Sequence, residues 1–277
     1  MEFNLSLKIA QIPCTLTCKS HKLFQCLEER LAGFKFDNFN KEKHISIFIK
    51  QSKPSKKKNV YIQRNIKTSS YSKFLVKISN LNGKCVFDAR TKKGYILATC
   101  NGRRMTNFIL FSLMEIYRFI SPSYNSIAIH CSSVCYKNRG VIFAGPSGSG
   151  KSTIVKLIPN DYTVLHDELT FIKYEGERFY IHNPPVSSVH WDGLNKRKRT
   201  PLRRIFFLRK GLYNKVVPLS ICNALKILMR NVYGVGVYPD TNKIFDICCK
   251  MINIVPTHIL EFSKKAPLLE RSKICLL

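Results

Sequence analysis

The stretch Gly145-Pro-Ser-Gly-Ser-Gly-Lys-Ser-Thr153 is the most informative part of this sequence. It satisfies the pattern G-x-x-x-x-G-K-[S/T] of a phosphate-binding loop in full. Glycines let consecutive backbone N–H groups converge on phosphate oxygens without a Cβ in the way, and Lys151 adds a positive charge. The residues predicted to bind a nucleotide are Gly145, Pro146, Ser147, Gly148, Ser149, Gly150, Lys151, Ser152 and Thr153. The motif does not distinguish ATP from GTP or pyrophosphate.

The residues on both sides of this glycine loop (residues 145–153) predict a strand before it and a helix after it. Residues 141–144 form a short apolar run, and residues 153–158 can form the first helical turns. Strand, loop and helix in this order are the context in which the motif binds phosphate. A glycine turn with an incidental lysine is the alternative, and this context argues against it.

Two acids follow the next predicted strand. Residues 162–165 are apolar or β-branched and lead into His166-Asp167-Glu168. Asp167 lies sixteen residues after Lys151, which leaves room for one short helix, a turn and one strand. At the end of that strand the pair can reach a Mg²⁺ ion or a hydroxyl nucleophile. The alternative is a solvated strand end.

Length and composition indicate a globular protein of one or two domains. The chain has 277 residues, of which 45% are hydrophobic and 11% aromatic, too many for a disordered tail. The apolar stretch 107–120 is interrupted by Glu115 and Arg118 and is too short to cross a bilayer. The first residues lack the pattern of a secretory signal. We therefore expect a soluble, cytoplasmic protein without a membrane partner.

Charge is the abnormal feature of the composition. Lysine and arginine total 46 against 17 acids, a net charge of +29. This excess indicates an acidic or polyanionic partner, or only a lysine-rich solvated surface. The run 196–199 with Arg203 and Arg204 could clamp an acidic peptide or extra phosphates, or lie in a solvated loop. Aromatic residues do not interleave with the basic runs as in RNA-binding motifs, so nucleic acid is expected to bind only non-specifically.

The eleven cysteines are expected to be free thiols. Without a secretory signal the expected compartment is reducing, and no C-x-x-C pair suggests a zinc ribbon. Most of these cysteines are therefore predicted to act as small buried hydrophobic residues.

Hydrophobic patterning divides the chain near residue 104. Before it, short strands are predicted at residues 3–12, 44–50, 60–63, 74–78, 84–87 and 95–100, with a helix at 24–31 and a hairpin turn at Asn82-Gly83. After it, a helix at 105–120 precedes alternating strands and helices. The prediction is a smaller, mainly antiparallel β (α+β) domain at 1–104 and an α/β domain at 105–277.

Three segments carry a resemblance to a known family. Ala128-Ile-His130-Cys-Ser, the run 140–153 and Val164-Leu-His-Asp167-Glu168 together resemble the C-terminal kinase domain of HPr kinase/phosphorylase. That family has a histidine fifteen residues before the first loop glycine, as His130 is before Gly145. The resemblance covers roughly residues 105–265. It implies the P-loop fold shared with phosphoenolpyruvate carboxykinase and ATP-dependent phosphorylation of a serine in a protein or peptide.

The resemblance also implies roles for single residues. Asp167 and Ser152 would hold Mg²⁺, and Glu168, or Asp167 in exchange, would accept the proton of the attacking hydroxyl. Lys151 and the loop amides would stabilise the transferring phosphoryl group. His130 would orient the γ-phosphate or an acid, and its alternative is a hydrogen-bonded histidine at a strand end.

The acceptor stays open at the level of sequence. The glycine-rich signature that supports dephosphorylation in the family is absent after Asp192, so phosphorylase activity is not expected. An acidic peptide or protein is the leading acceptor. A small-molecule kinase and a non-enzymatic ATP-dependent sensor or nucleic-acid-binding protein are the alternatives. The resemblance also allows an oligomer.

Overall fold

The computed structural model describes residues 1–36, 44–52, 68–158, 161–185 and 199–263. It is a mixed α/β structure with two sheets. The chain divides into two compact units, residues 1–120 with Gly236–Pro239 and residues 121–235 with 240–277. The helix at 105–120, which the sequence places at the start of the second domain, lies in the first unit.

The first unit is rich in strands. Its elements within the described residues are β1 (Phe3–Ile9), β2 (Ile12–Cys18), α1 (His21–Arg30), β3 (Ile45–Gln51), β4 (Thr68–Tyr71), β5 (Leu75–Asn80), β6 (Gly83–Asp88), β7 (Lys93–Ala98) and α2 (Gly102–Ile120). The sheet order is β1-β2-β3-β7-β6-β5-β4. Burial alternates along β2 and β3, because one face of the sheet carries the helices while the other faces solvent.

This sheet is mixed in direction. Strand β3 runs parallel to both β2 and β7, while β1–β2 and the β7–β6–β5–β4 meander are antiparallel. Helix α1 packs on β1 and β2, and α2 packs on β5, β6 and β7. The expected antiparallel sheet is therefore interrupted by two parallel pairings, which the long connections around β3 permit.

Two local predictions in this unit need correction. The single strand predicted at 3–12 is a hairpin, because Ala10 and Gln11 adopt φ of 48° and 62° and reverse the chain. Neither residue is a usual left-handed turn former, so the turn gave no sequence signal. The hairpin predicted at Asn82-Gly83 turns one residue earlier, since Asn80 pairs with Gly83. The predicted strand at 60–63 lies outside the described residues.

The second unit has α/β character. A short 3₁₀ helix (Ser121–Tyr124) is followed by β8 (Ser126–Ile129), β9 (Cys131–Tyr136), β10 (Arg139–Ala144), α3 (Lys151–Leu157), β11 (Thr163–Asp167), β12 (Thr170–Glu175), β13 (Arg178–His182), β14 (Thr200–Lys210), β15 (Lys215–Pro218), α4 (Ile221–Met229), α5 (Thr241–Ile254) and β16 (Thr257–Phe262). The sheet order is β11-β9-β10-β14-β13-β12-β8, and β16 pairs with β14 and β15.

Three parallel strands form the centre of this sheet. Strand β14 lies between β10 and β16 and is parallel to both. Residues 140–144 of β10 are buried, which explains why the strand reads as an apolar run. Phe143 and Phe206 stack across β10 and β14, and Ile154 and Val155 of α3 cover them. The carboxyl ends of the three strands therefore meet at one edge, which is where the glycine loop begins.

The basic run lies only partly within the described residues. Residues 196–198 fall outside them, whereas Arg199 is exposed. Arg204 belongs to β14 and is 7% exposed, with its Nη1 3.3 Å from Nδ1 of His258. The alternative in which Arg204 lies in a solvated loop is therefore wrong, because its side chain is buried against the sheet. None of the helices in the described ranges is long and apolar enough to cross a membrane.

Candidate functional site

The glycine loop follows the carboxyl end of β10. Gly148 and Gly150 adopt φ of 73° and 101°, which side chains rarely tolerate. A Cβ on Gly150 would lie 2.3 Å from the ring of Phe262, so that glycine is also required by packing. A Cβ on Gly145 would lie 2.8 Å from Oγ of Ser149. The backbone path of the loop therefore depends on glycine at these places.

Lys151 turns back into the loop. Its Nζ donates hydrogen bonds to the carbonyl oxygens of Gly145 at 2.8 Å and Pro146 at 3.1 Å. The residue is only 9% exposed. Burial lowers the pKa of its ammonium, and the negative charges of Asp167 and Glu168 act in the opposite direction. The lysine thus shares an electrostatic environment with the two acids named from the sequence.

The loop also holds a hydroxyl that lacks a partner. Oγ of Ser149 is buried and has no hydrogen-bond partner in the described part of the chain. Pro146, Ser147 and Gly148 are exposed beside it, and Ser152 is exposed at the start of α3. A buried hydroxyl without a partner is costly, and a phosphate oxygen bound in the loop would supply the acceptor. The chemistry of the loop therefore fits an anion.

Asp167 is the last residue of β11. A bulge between Val164 and His166 shifts the pairing of β11 with β9, so that Asp167 lies opposite Ser132. Oγ of Ser132 donates to Oδ1 of Asp167 at 2.5 Å. Glu168 lies beyond the strand and is exposed. Because the strand has ended, the alternation of side chains along it no longer forces these two acids to opposite faces.

His166 fixes the turn that carries the acids. Its Nδ1 accepts a hydrogen bond from the backbone N–H of Leu169 at 3.2 Å, and the residue is 4% exposed. Oγ of Ser133 donates to the carbonyl oxygen of His166 at 3.3 Å. His166, Ser132 and Ser133 thus form the hydrogen bonds around Asp167. The sequence predicted no role for them, because serine in a strand gives no signal until the register is known.

Asn231 joins the loop to His130. Oδ1 of Asn231 accepts from the N–H of Gly145 at 3.1 Å, and its Nδ2 donates to the carbonyl of Ile227 in α4 at 2.7 Å. Its own carbonyl accepts from the N–H of His130 at 2.8 Å. His130 lies between β8 and β9, with its ring centroid 6.1 Å from that of Tyr233. Sequence reasoning did not find Asn231, since 86 residues separate it from Gly145.

Metal ligands of the usual protein kind are not clustered here. Within the described ranges, no three or more His, Cys, Asp or Glu side chains come together to hold a metal ion. An ion bound at this site would therefore need oxygens beyond those of Asp167 and Ser152, such as those of a phosphate. Cys131 is buried at the start of β9, and burial raises the pKa of its thiol to about 12.

Comparison with known proteins places the chain in a family. The family model described as "SynChlorMet cassette protein ScmC" matches residues 96–271, more than half of the chain. The chain therefore belongs to the ScmC family. No curated protein matches it.

Among solved structures, the chain is similar to the Hpr(Ser) kinase/phosphatase from Coxiella burnetii. The two share 16% sequence identity, and the match covers 49% of this chain and 85% of the other, with a TM-score of 0.30. A similarity of that size carries no argument about fold or activity.

Proposed function

We propose that this chain is an Mg²⁺- and ATP-dependent kinase that phosphorylates a serine hydroxyl of a protein or peptide. One observation carries the proposal: a complete phosphate-loop motif whose lysine lies in the same electrostatic environment as Asp167 and Glu168. Phosphoryl transfer needs anion binding, charge stabilisation and a base. These residues supply all three.

The glycine loop binds the phosphates in this proposal. Lys151 exchanges its bonds to the carbonyls of Gly145 and Pro146 for bonds to phosphate oxygens. Ser149 gains an acceptor for its buried hydroxyl. Asp167 and Ser152 would hold the Mg²⁺ ion, which would neutralise phosphate charge when bound. Ser132 orients the Asp167 carboxylate through its hydrogen bond to Oδ1.

Glu168 acts as the general base. It is exposed, so an acceptor hydroxyl can approach it directly from solvent. Its carboxylate takes the proton of the serine hydroxyl, the serine oxygen forms a bond to the γ-phosphorus, and the bond between that phosphorus and its bridging oxygen breaks. Phosphoserine and ADP are the products. Lys151 stabilises the charge that develops on the transferred group, and His130 orients the γ-phosphate.

Charge supports an acidic acceptor. The net charge of +29 would concentrate acidic peptides near the protein and repel basic ones. A peptide or protein with carboxylates near its serine is therefore the proposed substrate class. A reducing, cytoplasmic location suits both the ATP requirement and the many free thiols.

Labelled ATP tests the proposal directly. The full chain is incubated with Mg²⁺, ATP labelled at the γ-phosphate, and a library of serine peptides that differ in acidic content. We expect Mg²⁺-dependent label on serine, preferentially in acidic peptides, as detected by mass spectrometry. Lys151→Ala is the matched negative control.

Two outcomes contradict it. Transfer that survives unchanged in Lys151→Ala would mean that the loop does not serve the reaction. ATP binding without transfer to any peptide, with label appearing instead on a small hydroxyl compound, would assign the site to a small-molecule kinase.

A further inference from the structure

The loop after β14 lies beside the glycine loop. Because β10 and β14 are parallel, the residues that follow each strand emerge at the same sheet edge. The N–H of Gly211 donates to the carbonyl of Phe262 at 3.1 Å, and the Phe262 ring packs under Gly150. Phe262 therefore contacts both loops.

This second loop carries two exposed apolar side chains at its tip. Leu212 is 84% exposed and Tyr213 is 77% exposed. The base of the loop is fixed, since Oδ1 of Asn214 accepts from the N–H of Ser263 at 3.0 Å. Two adjacent large apolar residues held out from an anchored base form a surface that a partner can cover.

Lysines flank this tip on both sides. Lys210 ends β14 and Lys215 begins β15, and both are exposed. In the described part of the chain neither has a carboxylate within ion-pair distance, whereas the neighbouring Arg209 is paired with Glu261. The segment 210–215 therefore presents an apolar centre between two cations that form no ion pair with the described acids.

We propose that residues 210–215 are the docking site for the acceptor, a peptide segment with an apolar side chain between carboxylates. This inference rests on the proposed function, because residues 210–215 can dock an acceptor only if the neighbouring glycine loop holds ATP. Apolar side chains of the peptide cover Leu212 and Tyr213, and its carboxylates meet Lys210 and Lys215. A single-stranded nucleic acid fits less well, since it favours a longer basic groove with several aromatic rings for stacking.

Fluorescence anisotropy tests the docking site on the full chain. The probe is a labelled twelve-residue peptide of glutamate and leucine with one serine. Companion probes replace either every glutamate with glutamine or every leucine with serine, and an oligo-dT of similar charge represents nucleic acid. The variants are the double substitution Leu212→Ser with Tyr213→Ser, and the double substitution Lys210→Gln with Lys215→Gln.

Leu81→Ser is the matched control. Leu81 is 70% exposed in the β5–β6 turn of the first unit, so this substitution removes a similar apolar surface from another part of the chain. We expect each double variant to bind the acidic apolar peptide about tenfold or more weakly than the wild-type chain, which is the usual effect of removing an interface anchor. The control variant should bind the peptide with wild-type affinity. The two companion peptides should bind more weakly than the parent peptide to the wild-type chain.

Three results would overturn the proposal: no binding of any peptide to the wild-type chain, unchanged binding in both double variants, or an equal dependence of oligo-dT binding on the same residues. ATP·Mg²⁺ affinity is measured in parallel. If the wild-type chain binds no ATP but peptide binding still depends on residues 210–215, the kinase assignment fails, and these residues are a peptide-binding surface but not an acceptor site. If ATP binds normally but the substitutions in residues 210–215 leave the peptide affinity unchanged, only the docking site fails.

Discussion

The ammonium of Lys151 is the charge that the proposed chemistry needs most. Lys151→Ala should lower the rate of phosphoryl transfer on the order of a hundredfold or more, because the charge that develops on the transferred group loses its stabilising partner. The fold should persist. Lys151 donates to the carbonyls of Gly145 and Pro146, and these carbonyls lie beside the exposed part of the loop, where water can replace the lysine as donor. Transfer kinetics and the thermal midpoint measure the two effects. Lys156→Ala, an exposed lysine on α3, is the control that should change neither.

Substitutions of Asp167 and of Glu168 should change different kinetic quantities. Asp167→Asn should raise the Mg²⁺ concentration needed for half-maximal rate, because an amide does not neutralise the cation. Glu168→Gln should leave ATP·Mg²⁺ binding nearly intact and lower kcat by roughly 10² to 10⁴, the usual size of lost general-base catalysis. The measurement is kcat with a Mg²⁺ titration for each variant. Rates near wild type in both would leave only a nucleotide-binding protein.

Two loop glycines should differ in their tolerance of a methyl group. Gly148→Ala meets open space and costs only the strain of φ 73°, about 1 kcal/mol in free energy of unfolding. Gly150→Ala adds a clash 2.3 Å from the Phe262 ring to the strain of φ 101°, and should cost clearly more. Urea unfolding of the two variants measures the difference. Equal losses would mean that Phe262 does not support the loop as the packing indicates.

The connection after α4 should control how well the glycine loop binds nucleotide. Asn231→Ala removes the acceptor of the Gly145 N–H and the donor to Ile227, so the start of the loop loses its anchor. We expect KM for ATP to rise several-fold with a smaller change in kcat, since Asn231 bonds no catalytic side chain directly. Asn231→Asp retains an oxygen for the Gly145 N–H and should recover part of the affinity. Asn223→Ala, exposed on α4, is the control.

A structural role alone would give a different result. If Asn231 only stabilised the unit, Asn231→Ala would lower the thermal midpoint while the active fraction kept its wild-type KM for ATP. The comparison of KM with the thermal midpoint therefore decides between positioning of the loop and general stability.

At the scale of the molecule, the cysteines within the described ranges are free thiols, so a reductant should not change the thermal midpoint. Burial raises the pKa of the Cys14, Cys85, Cys131 and Cys248 thiols to about 12. These thiols should react with a disulfide reagent only after unfolding, because the thiolate is the reactive form. Exposed Cys222 should react in the native protein at neutral pH. A midpoint that falls by several degrees on reduction would contradict the free-thiol assignment.

Local patterns predicted several elements of both units well. Strands β6, β8, β10 and β11 and helices α1, α2 and α3 lie close to their predicted positions, because each has a periodic apolar pattern or a glycine signal within a few residues. The reversal at Ala10 and Gln11 was not predicted, since neither residue is typical of a left-handed turn. Strand β9, which pairs with both β10 and β11, was also missed in the sequence.

The sequence by itself determined the nine-residue loop motif, its strand and helix, and the two acids at the end of the next strand. These features are local: the loop requires glycine and lysine at fixed spacing, and the acids follow an apolar run. Only the tertiary structure decided the supports, since Asn231 reaches Gly145 across 86 residues and Ser132 reaches Asp167 across 35. Such pairs depend on sheet register and on the chain path after α4, where polar residues acquire partners only once the strands have packed.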